Sequence, residues 1–485
     1  MNFISLNFII FFAALLSLYF FIPSRLKWLF LLAASYFFYG FYHLENLLLL
    51  IIPTLLVYVI ARGLDHSESA AKRKWLLIAG LVCGLAVLLV FKYANFIGSS
   101  LFALMGLWKE GLTFKPFELI YTIGISFYTF KLVSYLVDVY QQRMAAEKHL
   151  GYFALYAAFF PQLFMGPIDR AIGFIPELKK RVTLDVDRIV SGVQLVVWGV
   201  FKKMVVADRL AMFVNEVFAN PQGQGLNLIF GAYFYAFQIY CDFSGYTDIA
   251  IGLARILGFK SMKNFDFPYF SKNITGFWNR WHISLSTWLR DYLFLPITYA
   301  VMRRIKSPRL LNIKAEAWGY CIGMFVTMFL GGLWHGAAWT FVVWGMLHGF
   351  YLVVSYLTKK SRKRLVKKTG LKRLPLLHRA LRIFITFNLV SFAWIFFRAE
   401  SFQEAFTYIK YIQLAPPQKG VGFLVFNLAL VAVFIGLEII YKNRSKIPVI
   451  ANTPRVLRIA AFALFVCITV ILAVDTANEF IYFRF

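Results

Sequence analysis

The chain has 485 residues, of which 60% are hydrophobic, 19% aromatic and 15% charged. Soluble domains carry about 45–50% apolar and about 25% charged residues, so the composition excludes a string of soluble domains and points to one multi-span membrane domain. The net charge of +28 is spread over short basic runs between apolar segments, such as Lys72–Lys74 and Lys359–Lys368. A nucleic-acid binder would gather that charge on one soluble face. Nucleic acid is therefore excluded as a partner, and the runs read as cytoplasmic loops facing membrane lipid.

A helical span needs about 20 apolar residues. In chain order, the candidate spans are 3–22, 28–42, 46–61, 75–97, 117–140, 189–207, 227–257, 319–357 (as two passes or a re-entrant pair), 383–398, 422–440 and 457–474. The first apolar run has no basic n-region and is too long for a signal peptide, so it is expected to stay as a span. Placing the basic loops after spans one, three and five, and at 359–382 and 442–446, in the cytoplasm puts both termini on the outer, periplasmic side. The apolar stretch Tyr152–Pro167 lies between two basic segments. A re-entrant loop satisfies both, and Pro161 and Gly166-Pro167 supply the breaks; a slightly polar full span is the alternative. Asn273-Ile-Thr and Asn443-Arg-Ser match a glycosylation sequon but fall on the cytoplasmic side. Cys83, Cys241, Cys321 and Cys467 share no metal-ligand spacing and read as buried free thiols.

Within this apolar chain, FWNRWHISLSTWLRDY (277–292) is unusual. At about 100° per residue, Asn279, His282, Ser286 and Arg290 fall on one helix face and Trp281, Leu285, Trp288 and Tyr292 on the other. Asn273 or Thr275 is expected to cap this helix and Pro296 to end it. An interfacial helix with tryptophan anchors and snorkelling arginines would explain the composition. It would not explain a stripe holding His282, Ser286 and Arg290, which suits an aqueous cavity with a polar ligand.

Two further stretches put ionisable groups in apolar surroundings. Asp242 and Asp248 lie in Gln238–Phe259; acids at a helix centre need partners or water, and Arg255 with the arginines of 280–290 are the expected ones. They would either clamp helices or line an ion path. In GGLWHGAAWTFVVWGMLHG (331–349), His335 has no acid within ten residues and is flanked by glycines that allow a break or a close helix approach. An imidazole buried there is expected to be neutral, the form that accepts a proton. His348 reads as a core histidine bonded to a backbone carbonyl. With no HExxH or CxxC, no metal is expected.

The blocks CDFSGYTDIAIGLARILGF, NFDFPYFSKNITGFWNRWHISLSTWLRDYLFLP and GGLWHGAAWTFVVWGMLHG, with FKYANF, TIGISFYTF and the terminal FIYFRF, resemble the membrane-bound O-acyltransferase family. Within it they resemble the bacterial branch that includes the alginate O-acetyltransferase membrane subunit. After Arg290-Asp291-Tyr292 the chain departs from that branch's Gly-Gly-Asn-Arg loop, and GPIDR (166–170) carries an acid where the branch has an apolar residue. The resemblance implies an all-α polytopic protein, about 11 transmembrane helices plus re-entrant and interfacial helices in a ring around a central funnel. It implies a single domain with peripheral spans over 1–116, a catalytic core over 117–400 and C-terminal spans over 401–485.

It further implies that His335 is catalytic and that His282 is the second signature position. The donor would be acyl-CoA, such as acetyl-CoA, or an acyl-carrier thioester, with no bound cofactor. The acceptor would be a cell-envelope glycan, reached with a periplasmic hydrolase-like partner from the bacterial inner membrane. In this reading His335 serves as base or as transient acyl carrier, and His282, Asn279 and Ser286 orient the thioester carbonyl or donate to the oxyanion. Arg280 and Arg290 meet the donor's phosphates, Trp281 and Trp334 shape the acyl slot, and Asp242 and Asp248 hold the helices. A transporter of an acylated carrier or lipid-linked glycan would use the same cavity without chemistry. A scaffold for envelope enzymes would need neither histidine.

Overall fold

A computed structural model describes residues 1–107, 112–119, 124–305, 309–310, 313–416, 420–443, 453–474 and 480–484. The chain is built almost wholly of helices: α1 Leu6–Tyr19, α2 Lys27–Gly40, α3 Glu45–His66, α4 Ala70–Leu88 continuing through a π turn into α5 Ala94–Gly106, and α6 Ile125–Tyr140. Then come α7 Leu150–Ala158, α8 Phe160–Leu163, α9 Ala171–Leu178, and α10 Val186–Val200, which runs through a π segment, Phe201–Ala207, into α11 Asp208–Ala219. After α12 Leu226–Ile256 follow α13 Ile274–Trp278, α14 Ile283–Leu289, α15 Leu295–Arg304, α16 Ala315–His335, α17 Trp339–Leu357, α18 Lys359–Lys368, α19 Pro375–Arg398, α20 Phe402–Lys410, α21 Val421–Asn443 and α22 Arg455–Leu472. A two-residue antiparallel ladder pairs Arg309–Leu310 with Ile313–Lys314.

Among the described residues, eight helical stretches are long and apolar enough to cross a membrane. The protein is a multi-pass, all-α membrane protein. Two stretches, Ala70–Gly106 and Val186–Ala219, have 37 and 34 residues and outrun the expected spans, because each continues through a π turn into a further helix, α5 or α11. The stretch 319–357 resolves into two passes, α16 and α17, joined at Gly336–Ala338.

The contacts divide into two compact units, 1–193 with 250–263, and 194–249 with 264–485. In the first, Tyr152–Pro167 is no continuous span: α7 has 9 residues and breaks at Phe159, and α8 has 4. Nine residues of helix cover only about 14 Å, half of the hydrocarbon thickness. The break is held by a buried polar chain. Lys131 Nζ donates to the Tyr156 carbonyl (3.0 Å) and to Gln162 Oε1 (2.9 Å). Gln162 Nε2 donates to Asp169 Oδ2 and to Ser261 Oγ, both at 2.7 Å. Asp169 Oδ1 accepts the Met262 N–H at 3.1 Å. The acid of GPIDR is thus a clamp on the segment, the protein-internal satisfaction that irregular backbone requires.

In the second unit, α16 and α17 form a hairpin with almost no space between backbones. A Cβ on Gly345 would stand 2.2 Å from the Met328 carbonyl, and one on Gly332 2.4 Å from that of Phe341. This is the close approach expected from the glycines. Gly245 likewise serves proximity: α12 runs unbroken through it, and a Cβ there would meet the Gly199 carbonyl at 2.7 Å. Of the four thiols only Cys241 is buried; Cys83 and Cys321 are half-buried, and Cys467 is exposed on α22. α22 packs little of its surface against protein, so an apolar sequence there does not imply burial.

Candidate active site

The segment expected to be one amphipathic helix is broken in its middle. α13 begins with the Asn273 side chain accepting the Gly276 N–H at 2.7 Å and ends at Trp278. α14 starts at Ile283, and His282 between them is left-handed, at φ 42° and ψ 56°. The cause is tertiary. Backbone from an earlier loop pairs with the break: the Asp266 N–H donates to the Arg280 carbonyl (2.9 Å) and the Ile283 N–H to the Asn264 carbonyl (2.8 Å). A non-glycine residue at positive φ is uncommon, and such backbone collects at functional sites. Pro296 does not end the helix either; a π turn over Arg290–Phe294 joins α14 to α15, and Pro296 sits directly after it in the first turn of α15.

This break buries the His282 ring completely. Asn264 fixes it. The Asn264 Oδ1 accepts the Ser284 N–H (3.0 Å) and the Ser284 hydroxyl (2.9 Å), and lies 3.2 Å from His282 Nδ1. A backbone N–H can only donate, so the atom it meets is the amide oxygen, and Nδ1 must carry the hydrogen it gives to that oxygen. In the neutral ring Nε2 is then an acceptor. Burial pushes the imidazole pKa down to about 3, so the ring is neutral at physiological pH. The tautomer turns the oxyanion donor expected from sequence into an acceptor.

His335 is the last residue of α16 and is buried. Its ring stands 6.4 Å from that of His282, centroid to centroid. Trp334 lies against both imidazoles, at 5.9 and 4.9 Å. Trp344 (4.9 Å), Phe397 (5.5 Å) and Tyr482 (5.6 Å) complete an aromatic cage around His335. Phe243 meets the His282 ring edge-on at 4.6 Å and lies tilted against Tyr482 at 4.2 Å.

The other expected residues scatter. Trp281 is fully buried behind His282, against Phe277, Phe265 and Trp394. Ser286 donates to the Trp281 carbonyl at 3.0 Å. Asn279 is exposed and Arg280 half-buried. Arg290 is exposed and paired to its neighbour Asp291 at 2.8 Å. No single stripe carries Asn279, His282, Ser286 and Arg290, because the break at 279–282 rotates the two halves apart.

Asp242 and Asp248 do not pair with arginines. Asp248 binds Lys202 at 2.8 Å. Asp242 binds Lys203 at 2.8 Å and accepts the Ile481 N–H at 2.9 Å. Lys203 also holds Asp208, at 2.9 Å, and Lys202 lies 4.0 Å from Glu438, to which Tyr240 donates. Arg255 instead donates to Ser191 Oγ at 2.7 Å. The ion pairs thus fasten the terminal residues 480–482: Phe480 lies under Lys203 (4.7 Å) and against Tyr246 (4.9 Å), and Tyr482 reaches His335. The adjacent lysines in VFKKMVV carried a signal, since two cations in an apolar run require buried acids. Asn264, Trp344 and Tyr482 carried none that a local pattern reads. Among the described residues, no group of three or more His, Cys, Asp or Glu side chains is placed to hold a metal.

Comparison with known proteins decides the family. The model of the membrane-bound O-acyltransferase family matches residues 31–399. The chain belongs to this family. It is 38% identical to the probable alginate O-acetylase of Pseudomonas aeruginosa, over 82% of this chain and 71% of that protein. It is 32% identical to the peptidoglycan O-acetyltransferase of Helicobacter pylori, over 79% and 73%, and 33% identical to the teichoic acid D-alanyltransferase of Streptococcus thermophilus, over 57% and 68%. As a family member the chain is a membrane-bound O-acyltransferase, and both histidines and their cage, except Tyr482, lie in the matched segment.

The geometry makes Asn264 testable as a positioning residue. Asn264→Leu should lower kcat by roughly tenfold to a hundredfold, by analogy with lost tautomer control, with little change in KM. Asn264→Asp keeps the oxygen that accepts from Nδ1 and should recover part of the loss. Equal rates for wild type and the leucine variant would show that the His282 tautomer does not matter.

Proposed function

We propose that the chain moves an acetyl group from a cytoplasmic thioester, acetyl-CoA or an acyl carrier protein, across or into the membrane for O-acetylation of a cell-envelope glycan such as alginate. What supports this reading above all is the pair of buried imidazoles 6.4 Å apart, inside one aromatic cage and inside the family-matched segment. In the proposed step His335 takes the proton of the attacking hydroxyl. The hydroxyl oxygen bonds to the acyl carbon, the carbon–sulfur bond breaks, and the leaving thiolate takes the proton from His335. A positioned base of this kind supplies about 10²–10⁴ in rate.

His282, with Nδ1 held by Asn264, presents Nε2 as an acceptor and orients the hydroxyl. Trp334 and Trp281 exclude water. Arg280, Arg290 and the basic loops meet the donor's phosphates, and Asn279 and Ser286 help orient the thioester carbonyl. Asp242 and Asp248 act by pinning helices and tail through Lys203 and Lys202. The catalytic core spans 117–400, with peripheral spans over 1–116 and further spans over 401–485. The chain sits in the bacterial inner membrane with both termini periplasmic, where a hydrolase-like partner completes delivery.

The test is chemical. Purified protein given radiolabelled acetyl-CoA and a hydroxyl acceptor should release free CoA and label that acceptor. A transporter of preformed acylated carrier releases no thiol. Thiol release that is no faster than in protein-free detergent would overturn the acyl-transfer reading of this site.

A further inference from the structure

A third imidazole in the same unit has no hydrogen-bond partner among the described residues. His348, on α17, is fully buried, and neither ring nitrogen has a hydrogen-bond partner among the described residues. The carbonyl bond expected from sequence is not made. Trp278 and Trp344 stand edge-on to the ring, at 5.1 and 5.0 Å, and 5.9 Å from each other. Their indole Nε1 atoms are also buried without partners among the described residues. Phe277 stacks on the imidazole at 5.9 Å, so one face is closed by hydrocarbon and the unsatisfied atoms lie at the ring edges.

Neutral imidazole offers one donor and one acceptor, and each indole one donor only. Three donors and one acceptor are thus carried by three rings packed against one another. Buried polar groups in proteins are almost always bonded, to protein or to ordered water. The surplus of neutral donors calls for an oxygen with free lone pairs. Trp344 also touches His335, at 4.9 Å, so the place for that oxygen is one indole away from the proposed base.

We propose that Trp278, Trp344 and His348 form a subsite for a neutral oxygen, either a carbonyl or hydroxyl oxygen of a substrate or an ordered water in the same place. This rests on the acyl-transfer reading of the neighbouring site. His348→Phe keeps the ring and removes both nitrogens; His348→Gln keeps a donor and an acceptor. With the full-length protein and acetyl-CoA as probe, H348F should lose about tenfold in kcat/KM, the effect of one hydrogen bond, and H348Q should recover most of that loss.

A rise in the KM for acetyl-CoA assigns the oxygen to the substrate. A fall in kcat with KM kept assigns it to a water that holds Trp344 against His335. Trp278→Phe, which removes one donor from a neighbouring ring, should lose activity in the same direction and less than additively with H348F; it carries the test if H348F fails to fold. Activity of H348F equal to wild type, or above that of H348Q, would show apolar packing and overturn the subsite while leaving the acyl-transfer reading intact. That reading fails separately, if wild type releases no thiol.

Discussion

His335→Gln is expected to lower thiol release from acetyl-CoA by about 10²–10⁴ while the purified protein unfolds near the wild-type temperature. Glutamine is the informative substitution because the ring is enclosed. Trp334, Trp344, Phe397 and Tyr482 lie within 5.6 Å of it, and alanine would open a cavity among them. Large-to-small changes in such cores cost about 2–5 kcal/mol, so a dead His335→Ala variant could be dead through misfolding. Glutamine fills the space and forms hydrogen bonds but cannot take up a proton. The rate should therefore fall through kcat, with the KM for acetyl-CoA nearly kept, as for a group used only in the transition state. His282→Gln should lose less, since its proposed task is to orient. A His335→Gln enzyme within twofold of wild type would remove this residue from the chemistry and leave His282 as the remaining candidate base.

The two histidines were legible in sequence because their setting is a local property. A histidine set beside tryptophans in a chain this apolar is anomalous wherever it occurs. The long spans were legible for the same reason: Glu45–His66, Pro375–Arg398 and Val421–Asn443 are set by the apolar length a bilayer demands. What could not be read is set by contacts distant in the chain. The break at His282 is imposed by backbone bonds from Asn264 and Asp266. A helical count from Asn279 cannot register them, and it therefore joined Ser286 and Arg290 to a face that does not exist.

The same holds for the acids. Asp242 and Asp248 demanded partners, and Arg255 was near in sequence, but the lysines that answer them lie on a different helix. Tyr482 is the extreme case, a terminal residue that enters the site through a hydrogen bond from its neighbour Ile481 to Asp242.

Lys203→Met should be the most destabilising single change outside the site. Lys203 Nζ lies 2.9 Å from Asp208 and 2.8 Å from Asp242, with all three side chains buried. Removing the cation leaves two carboxylates in a low-dielectric interior with no counter-charge. Breaking a buried pair in this way costs about 3–5 kcal/mol, whereas replacing every charged member by neutral groups of similar size is often nearly neutral. The triple variant K203M/D208N/D242N should thus be more stable than K203M alone, an ordering that the loss of a mere packing contact would not produce.

Salt should not rescue the single variant, because buried charges are poorly screened. Activity should separate the two roles of Asp242. The triple variant restores the fold, but its amide at position 242 is a weaker acceptor for the Ile481 N–H, so Tyr482 is held less firmly against His335 and kcat stays below wild type. Thermal unfolding in detergent, read beside thiol release on the same preparations, checks both orderings. Equal unfolding temperatures for K203M and wild type would mean that Lys203 does not neutralise Asp208 and Asp242 in the folded protein.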